Sequence, residues 1–183
     1  MERPQALSLL REYIKNEKMI DHCLASEAVL RAMAERLSED REKWGLAGLL
    51  HDLDVEMTAH DMTIHAMETV RILREKGIDE EILEAIMLHN EYASHNTPRS
   101  KVFHFALAAG ETITGLITAT ALVYSDKNVN SVKPKSIIKR MKQKAFAASV
   151  KRENILECEK AGIPLDEFVA LSLQAMQELN SNR

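Results

Sequence analysis

Apolar residues recur along the chain three and four positions apart, the spacing that lays them on one side of an α-helix. Near the start Ala6, Leu9, Leu10, Tyr13 and Ile14 share a face, and Pro4 suits the first turn of that helix. A second helix over roughly 17–37 presents Ile20, Leu24, Ala28 and Met33, with His22 near its start. Asp40 caps a third, whose apolar tail WGLAGLLHDL runs into His51 and Asp52. After a polar break at 54–61, a fourth helix takes Ile64, Met67, Val70, Ile72 and Leu73 and stops at Gly77. Asp79 caps a fifth, in which Ile82, Leu83, Ile86 and Leu88 lead to His89. The segment SHNTPRS then breaks helix, because Pro98 disfavours helical geometry at Thr97.

Ser100 opens a long apolar helix that holds Glu111. Pro134 and Ser136 mark the entry to a short basic helix, and two more complete the pattern: roughly Arg152–Ala161, ended by Gly162, and Leu165–Asn180 behind Pro164. No segment sustains the alternation of a strand, so the pattern predicts an all-α protein with helices two to six at its centre. The last stretch, 126–183, is expected to pack on residues 1–125 as one domain. Composition agrees: aromatics are only 4% of the chain, leaving a core of Leu, Ile, Val, Ala and Met. Six Gly and four Pro are too few turn signals for a sandwich or barrel. The stretch from Val102 to Tyr124 is long enough to cross a bilayer, but it contains His104, Glu111 and several Thr, which favour a buried core helix.

Cys23 and Cys158 form no spaced pair, as in a reducing cytosol, and both are expected to be buried or idle thiols. The first eighteen residues are interrupted by charges and do not form a secretion signal, so a cytoplasmic location is expected. The net charge of −4 hides an asymmetry. Residues 127–152 hold nine Lys or Arg and no Asp or Glu, leaving 15 basic against 28 acidic residues elsewhere. Two readings stay open for this run: a solvated helical face, or a surface that attracts an anionic substrate.

The chemistry lies in polar residues placed inside apolar surroundings. His51 and Asp52 end the run LAGLL, and His89 ends ILEAIML. Buried polar groups need partners, and a metal ion would satisfy several at once. Imidazoles and carboxylates without thiolates suit a divalent Mn, Fe, Co, Ni or Zn, one ion or two, rather than a structural Cys-rich zinc site. At a helix end, adjacent His and Asp side chains can both turn toward one point.

The order His22, His51-Asp52, His65, His89 and an acid at 111 resembles the HD-domain phosphohydrolase superfamily, its HDIG-like members in particular, over roughly residues 18–125. The resemblance implies an HD-type helical bundle over 1–125 with a metal at its centre and a C-terminal helical extension. It places His22, His51, Asp52 and Glu111 on a first metal, and His65 and His89 on a second with Asp52 between them. His51 and Asp52 are then the catalytic pair. Two departures accompany it. Glutamate, in AAGETITG, stands where the family has aspartate, and HDLDVE replaces the HDIGK form, so a phosphate-facing lysine is missing. Asp54 is read as a cap or a solvated loop carboxylate.

The reaction implied is hydrolysis of a phosphate ester or anhydride of a small phosphorylated compound, a nucleotide being one candidate. Arg99, Lys133, Lys144 and Arg152 are the candidate substrate-binding cations. The alternative is a degenerate HD domain that binds a nucleotide or a protein partner without turnover. Nucleic-acid binding is disfavoured because Phe146 is the basic run's single aromatic, and no membrane partner is expected. Oligomeric state is left open, with no long heptad seam. Core packing is expected for His104, with a hydrogen bond to Glu111 as the other option. His95 is placed in a loop within reach of substrate, His60 at the surface, and Asn90 and Glu91 beside His89 as orienting groups.

Overall fold

The computed structural model describes residues 1–59, 61–95 and 97–182, so the expectation for His60 lies outside the described residues. Helices α1 (Arg3–Tyr13), α2 (Glu17–Leu37), α3 (Arg41–Leu50), α4 (Met67–Glu75), α5 (Glu80–His89) and α6 (Val102–Leu122) come first. A short 3-10 turn (Val129–Ser131) and helices α7 (Pro134–Met141), α8 (Arg152–Leu156) and α9 (Leu165–Ser181) complete the chain. No strand occurs among the described residues.

Local chemistry sets most helix ends. Asn16 accepts from Lys18 N, Asp40 from Glu42 N and Lys43 N, and Asp79 from Glu81 N, at 2.9–3.0 Å. Each satisfies an amide that a helix start leaves without a partner. Beyond α4, Gly77 adopts a φ of +72°, a left-handed turn that a side chain would disfavour. Two expected boundaries move. Ile64 lies before α4 and is 44% exposed, because residues 62–66 are turns. Helix α8 ends at Leu156, after which bonds such as Cys158 N to Ile155 O (3.2 Å) tighten the chain toward Gly162, whose φ is +95°.

Helix α6 is the centre of the bundle. Ala106, Leu107, Ala109, Ile113, Leu116 and Ile117 along it have no exposed surface, and it packs against α2, α3, α5, α7, α8 and α9. Its length and apolarity would let it cross a membrane, but it is mostly buried and serves as the core helix. Each such Leu or Ile stabilises the fold by about 2 kcal/mol relative to exposure. The C-terminal segment shares this core: Phe168 and Val169 are fully buried in the same cluster, with α9 lying on α2. Trp44 of α3 stacks on Phe103 of α6 with centroids 5.0 Å apart.

Helices α2 and α3 make the most intimate crossing, and a glycine permits it. A Cβ built on Gly48 would stand 2.7 Å from Ser26 O and 2.9 Å from Glu27 N, backbone atoms that cannot swing aside. The crossing matters because α2 carries His22 and α3 runs into His51. Gly48→Ala is therefore expected to destabilise the protein by about 2 kcal/mol, seen as a lower urea midpoint at unchanged m-value.

Candidate metal centre

Four imidazoles and one carboxylate converge where α2, α3, α5 and the turns before α4 meet. His22 comes from α2, His51 caps α3, Asp52 comes next, His65 precedes α4, and His89 ends α5. Asp52 sits among them. Its Oδ1 lies 3.4, 3.0 and 3.4 Å from Nε2 of His51, His65 and His89, and its Oδ2 lies 3.5 Å from Nε2 of His22. Nε2 of His22 and His51 are 3.2 Å apart, as are those of His65 and His89. Two ligand groups result, His22-His51-Asp52 and Asp52-His65-His89, each with its donor atoms within 4.8 Å of one another. Asp52 belongs to both.

The other ring nitrogens are turned outward and held. His51 Nδ1 donates to Gly48 O at 2.9 Å and His89 Nδ1 to Ile86 O at 2.5 Å. In each case the acceptor is a carbonyl three residues back, of the kind that a helix end leaves free. His22 Nδ1 lies 2.9 Å from Thr114 Oγ1, whose own proton goes to Glu111 O at 2.7 Å, so the threonine accepts from the imidazole. His65 Nδ1 donates to Asp54 Oδ1 at 2.7 Å. With Nδ1 protonated, each neutral ring presents a bare Nε2 lone pair to the centre.

This arrangement suits a cation. Burial lowers the pKa of His22 and takes that of His51 to about 3, Asp52 opposing the effect only in part, so both rings stay neutral. Two lone pairs 3.2 Å apart then face each other with no proton between them, and a shared metal ion would remove that repulsion. At the other cluster a proton serves instead. Although burial opposes it, hydrogen bonds to Asp52 and Asp54 raise His65 to about 10. Burial would raise Asp52 too, but His51, His65 and His89 hold it well below the usual carboxylate range.

Glu111 stands at the edge. Its Oε2 is 3.9 Å from His22 Nε2, its Oε1 accepts from Thr112 Oγ1, and it is outside both ligand groups. Burial chiefly, together with the charge of Asp52, pushes its pKa up to about 8.

A protein of this class, an all-helical bundle with a histidine-aspartate cluster able to hold metal, is what fold and site define. The HD domain family matches residues 19–119, more than half the chain, and the chain belongs to that family. No solved structure matches the chain significantly.

Among the proposed substrate cations, two are committed elsewhere. The Arg99 side chain is 7% exposed and donates to Leu88 O (2.9 Å), His89 O (3.0 Å) and Glu157 Oε2 (2.9 Å). It braces the end of α5, not a substrate. Arg152 donates to the carbonyls of Ala147 (2.8 Å), Val150 (2.7 Å) and Phe146, and so ties down the loop before α8. Lys133 and Lys144 are exposed.

Other expectations also shift. Asp54 is a cap, but for a helix distant in sequence: its Oδ2 accepts from Thr69 N of α4 at 3.0 Å, and it is fully buried, not solvated. His104 is buried in the core as expected, with Nε2 3.5 Å from Glu84 Oε2 of α5. Asn90 holds the carbonyls of Met62 (2.7 Å) and His65 (2.9 Å), so it orients the His65 loop. Glu91 pairs with Lys151 and Arg99, and His95 lies exposed in its loop. Thr114 gave no signal beyond its place one turn after Glu111. A cleft of about 790 Å³ between α2 and α9 contains none of the cluster residues.

Two outcomes are expected. Metal uptake at neutral pH should release about two protons, one displaced from His65 Nε2 and one from Glu111, and should weaken as pH falls. Titration calorimetry in buffers of different ionisation enthalpy reads that number directly. Arg99→Met leaves Glu157 and two carbonyls without their partner, and should cost about 3 kcal/mol of stability in a denaturant melt.

Proposed function

We propose that the protein is a metal-dependent phosphohydrolase that cleaves a phosphate ester or anhydride of a nucleotide or another small phosphorylated compound. The observation that carries this reading is the sharing of Asp52 between two three-residue ligand groups. His22, His51 and Asp52, with Glu111 behind them, would hold one ion, and Asp52, His65 and His89 a second, drawn from divalent Mn, Fe, Co, Ni or Zn. When bound, such a pair polarises a phosphate and acidifies water.

The chain's own residues fix the rest. Asp52 turns Oδ1 toward His51, His65 and His89 and Oδ2 toward His22, so it stands between the two groups and sets their spacing. Asp54 and Thr114 hold His65 and His22 in one tautomer and one ring orientation, which preorganises both sites before any ion arrives. Glu111, neutral while no cation is near, would ionise beside one and move its carboxylate toward His22. Arg99 and Arg152 are committed to carbonyls, and Lys151 pairs with Glu91, two residues after His89.

The set-back position of Glu111 favours a second reading, a degenerate HD domain that binds a nucleotide or protein without turnover. Elemental analysis of the purified protein separates the two when joined to a metal-supplemented screen. The panel covers nucleoside mono-, di- and triphosphates, dinucleoside polyphosphates and cyclic dinucleotides. Phosphate release or phosphodiester cleavage supports the hydrolase, and metal with tight binding but no turnover supports the second reading. His51→Ala and Asp52→Ala are expected to abolish metal uptake and Glu111→Ala to lower it in part. Asp54→Asn should weaken affinity roughly 10- to 100-fold through the loosened His65. Equal metal content in all variants and wild type would reject the site.

A further inference from the structure

Six lysines after α6, Lys127, Lys133, Lys135, Lys139, Lys142 and Lys144, are exposed, and none is within ion-pair distance of a carboxylate among the described residues. Elsewhere most cations are paired, with Lys15, Lys18 and Lys76 the exceptions among the described residues. Arg3, Arg31, Lys43, Arg71, Arg74 and Lys101 each face an acid. The basic run's two arginines are also occupied: Arg152 holds loop carbonyls, and the Arg140 guanidinium lies 4.4 Å above the Phe146 ring. Free charge in this segment is therefore lysine charge, concentrated and uncompensated.

Its layout is one-sided. On α7, Lys135, Lys139 and Lys142 recur at i, i+4 and i+7 and line one face, whereas Ile137 on the other is fully buried and Ile138 and Met141 are half-buried. The Tyr124 hydroxyl, 2.7 Å from Ser136 Oγ, brings the start of α7 against the end of α6. Leu122 and Val123, at the end of α6 that meets the start of α7, are 59% and 54% exposed.

We propose that this face is an interaction surface for an anionic lipid bilayer, with the lysines against the headgroups and Leu122 and Val123 in the interface. A peripheral contact of this kind needs no spanning helix. Unpaired lysines are point charges that suit a diffuse anionic surface, whereas bidentate phosphate recognition calls for the arginines that are occupied here. The single aromatic of the run, Phe146, is half-buried under Arg140, which removes a stacking platform for nucleic-acid bases. Exposed Leu and Val gain from an acyl interface and gain nothing from a phosphate backbone. The rest of the chain, with 15 basic against 28 acidic residues, is repelled by an anionic surface, and that repulsion fixes which side approaches.

The metal centre is separate from this face, since Leu122 lies about 16 Å along α6 from Glu111 at 1.5 Å per residue. Lys133, just before α7, is likewise assigned to the bilayer and not to a substrate phosphate.

Co-sedimentation of the full chain with vesicles tests the proposal, comparing phosphatidylcholine alone with an equimolar phosphatidylcholine and phosphatidylglycerol mixture. Binding is expected only to the mixture and is lost as salt rises. Changing Lys135, Lys139 and Lys142 together to Gln should lower the partition coefficient by roughly two orders of magnitude. Leu122→Gln should weaken it at constant charge. All four positions are exposed, and a thermal melt verifies that each variant is folded. Failure to sediment with the mixture, equal binding to both vesicles, or a triple variant that binds as wild type would overturn the proposal. So would tighter retention by duplex DNA or polyglutamate than by the anionic vesicles at the same salt.

Discussion

One buried carboxylate organises this protein. Asp52 is nearly closed off from solvent and has four imidazole nitrogens within 3.5 Å, so the ends of α3 and α5, an early turn of α2 and the turns before α4 must meet at the same point. A charge so placed is unfavourable unless every neighbour answers it. His65 does so by donating its Nε2 proton at 3.0 Å, the bare Nε2 atoms of His22 and His51 leave the other side open to a cation, and the bundle supplies the geometry. Gly48 lets α3 lie on α2, α6 fills the space between the other helices, and the end of α5 brings His89 across. Residues that look remote from the cluster therefore set its dimensions.

A second layer of polar groups fixes ring orientation, and it reuses what helix ends leave over. His51 and His89 both donate to carbonyls three residues back, at positions where the intrahelical ladder has run out. Asp54 serves two purposes at once, satisfying the amide of Thr69 in the first turn of α4 and accepting from His65. Arg99 extends the chain of support outward, gripping carbonyls at the end of α5 while Glu157 and Glu91 grip it. Glu157 lies beyond residues 19–119, which match the HD domain family. The C-terminal segment is thus mechanically joined to a ligand of the centre, and through Phe168 and Val169 it belongs to the same core.

Charge is divided by residue type as well as by place. Arginine, with a planar fork of donors, holds carbonyls and carboxylates inside the structure at 99 and 152 and on its acidic faces. The lysines from 127 to 144 are outside ion-pair distance of any described carboxylate. A molecule that is acidic over most of its length therefore presents one cationic side, set well apart from the polar interior where the histidines meet.

Helix existence, most helix starts and the joint order of His22, His51, Asp52, His65, His89 and Glu111 were legible in the sequence. They depend on local physics: a 3.6-residue apolar period, a capping oxygen two or three residues before its amide, and polar groups stranded at the ends of apolar runs. Partner identity was not legible. Asp54 looked like a loop carboxylate because the amide it caps, at Thr69, is fifteen positions away. Arg99 looked like a free cation because Glu157 is fifty-eight positions away, and nothing in the residues between them indicates the crossing. His104 was legible as a core residue, but its neighbour Glu84 lies on another helix, α5. The sequence determined which groups would need company in a helical interior. Only the packing of one helix on another decided which atom each of them meets, since that depends on crossings between segments whose positions along the chain are unrelated.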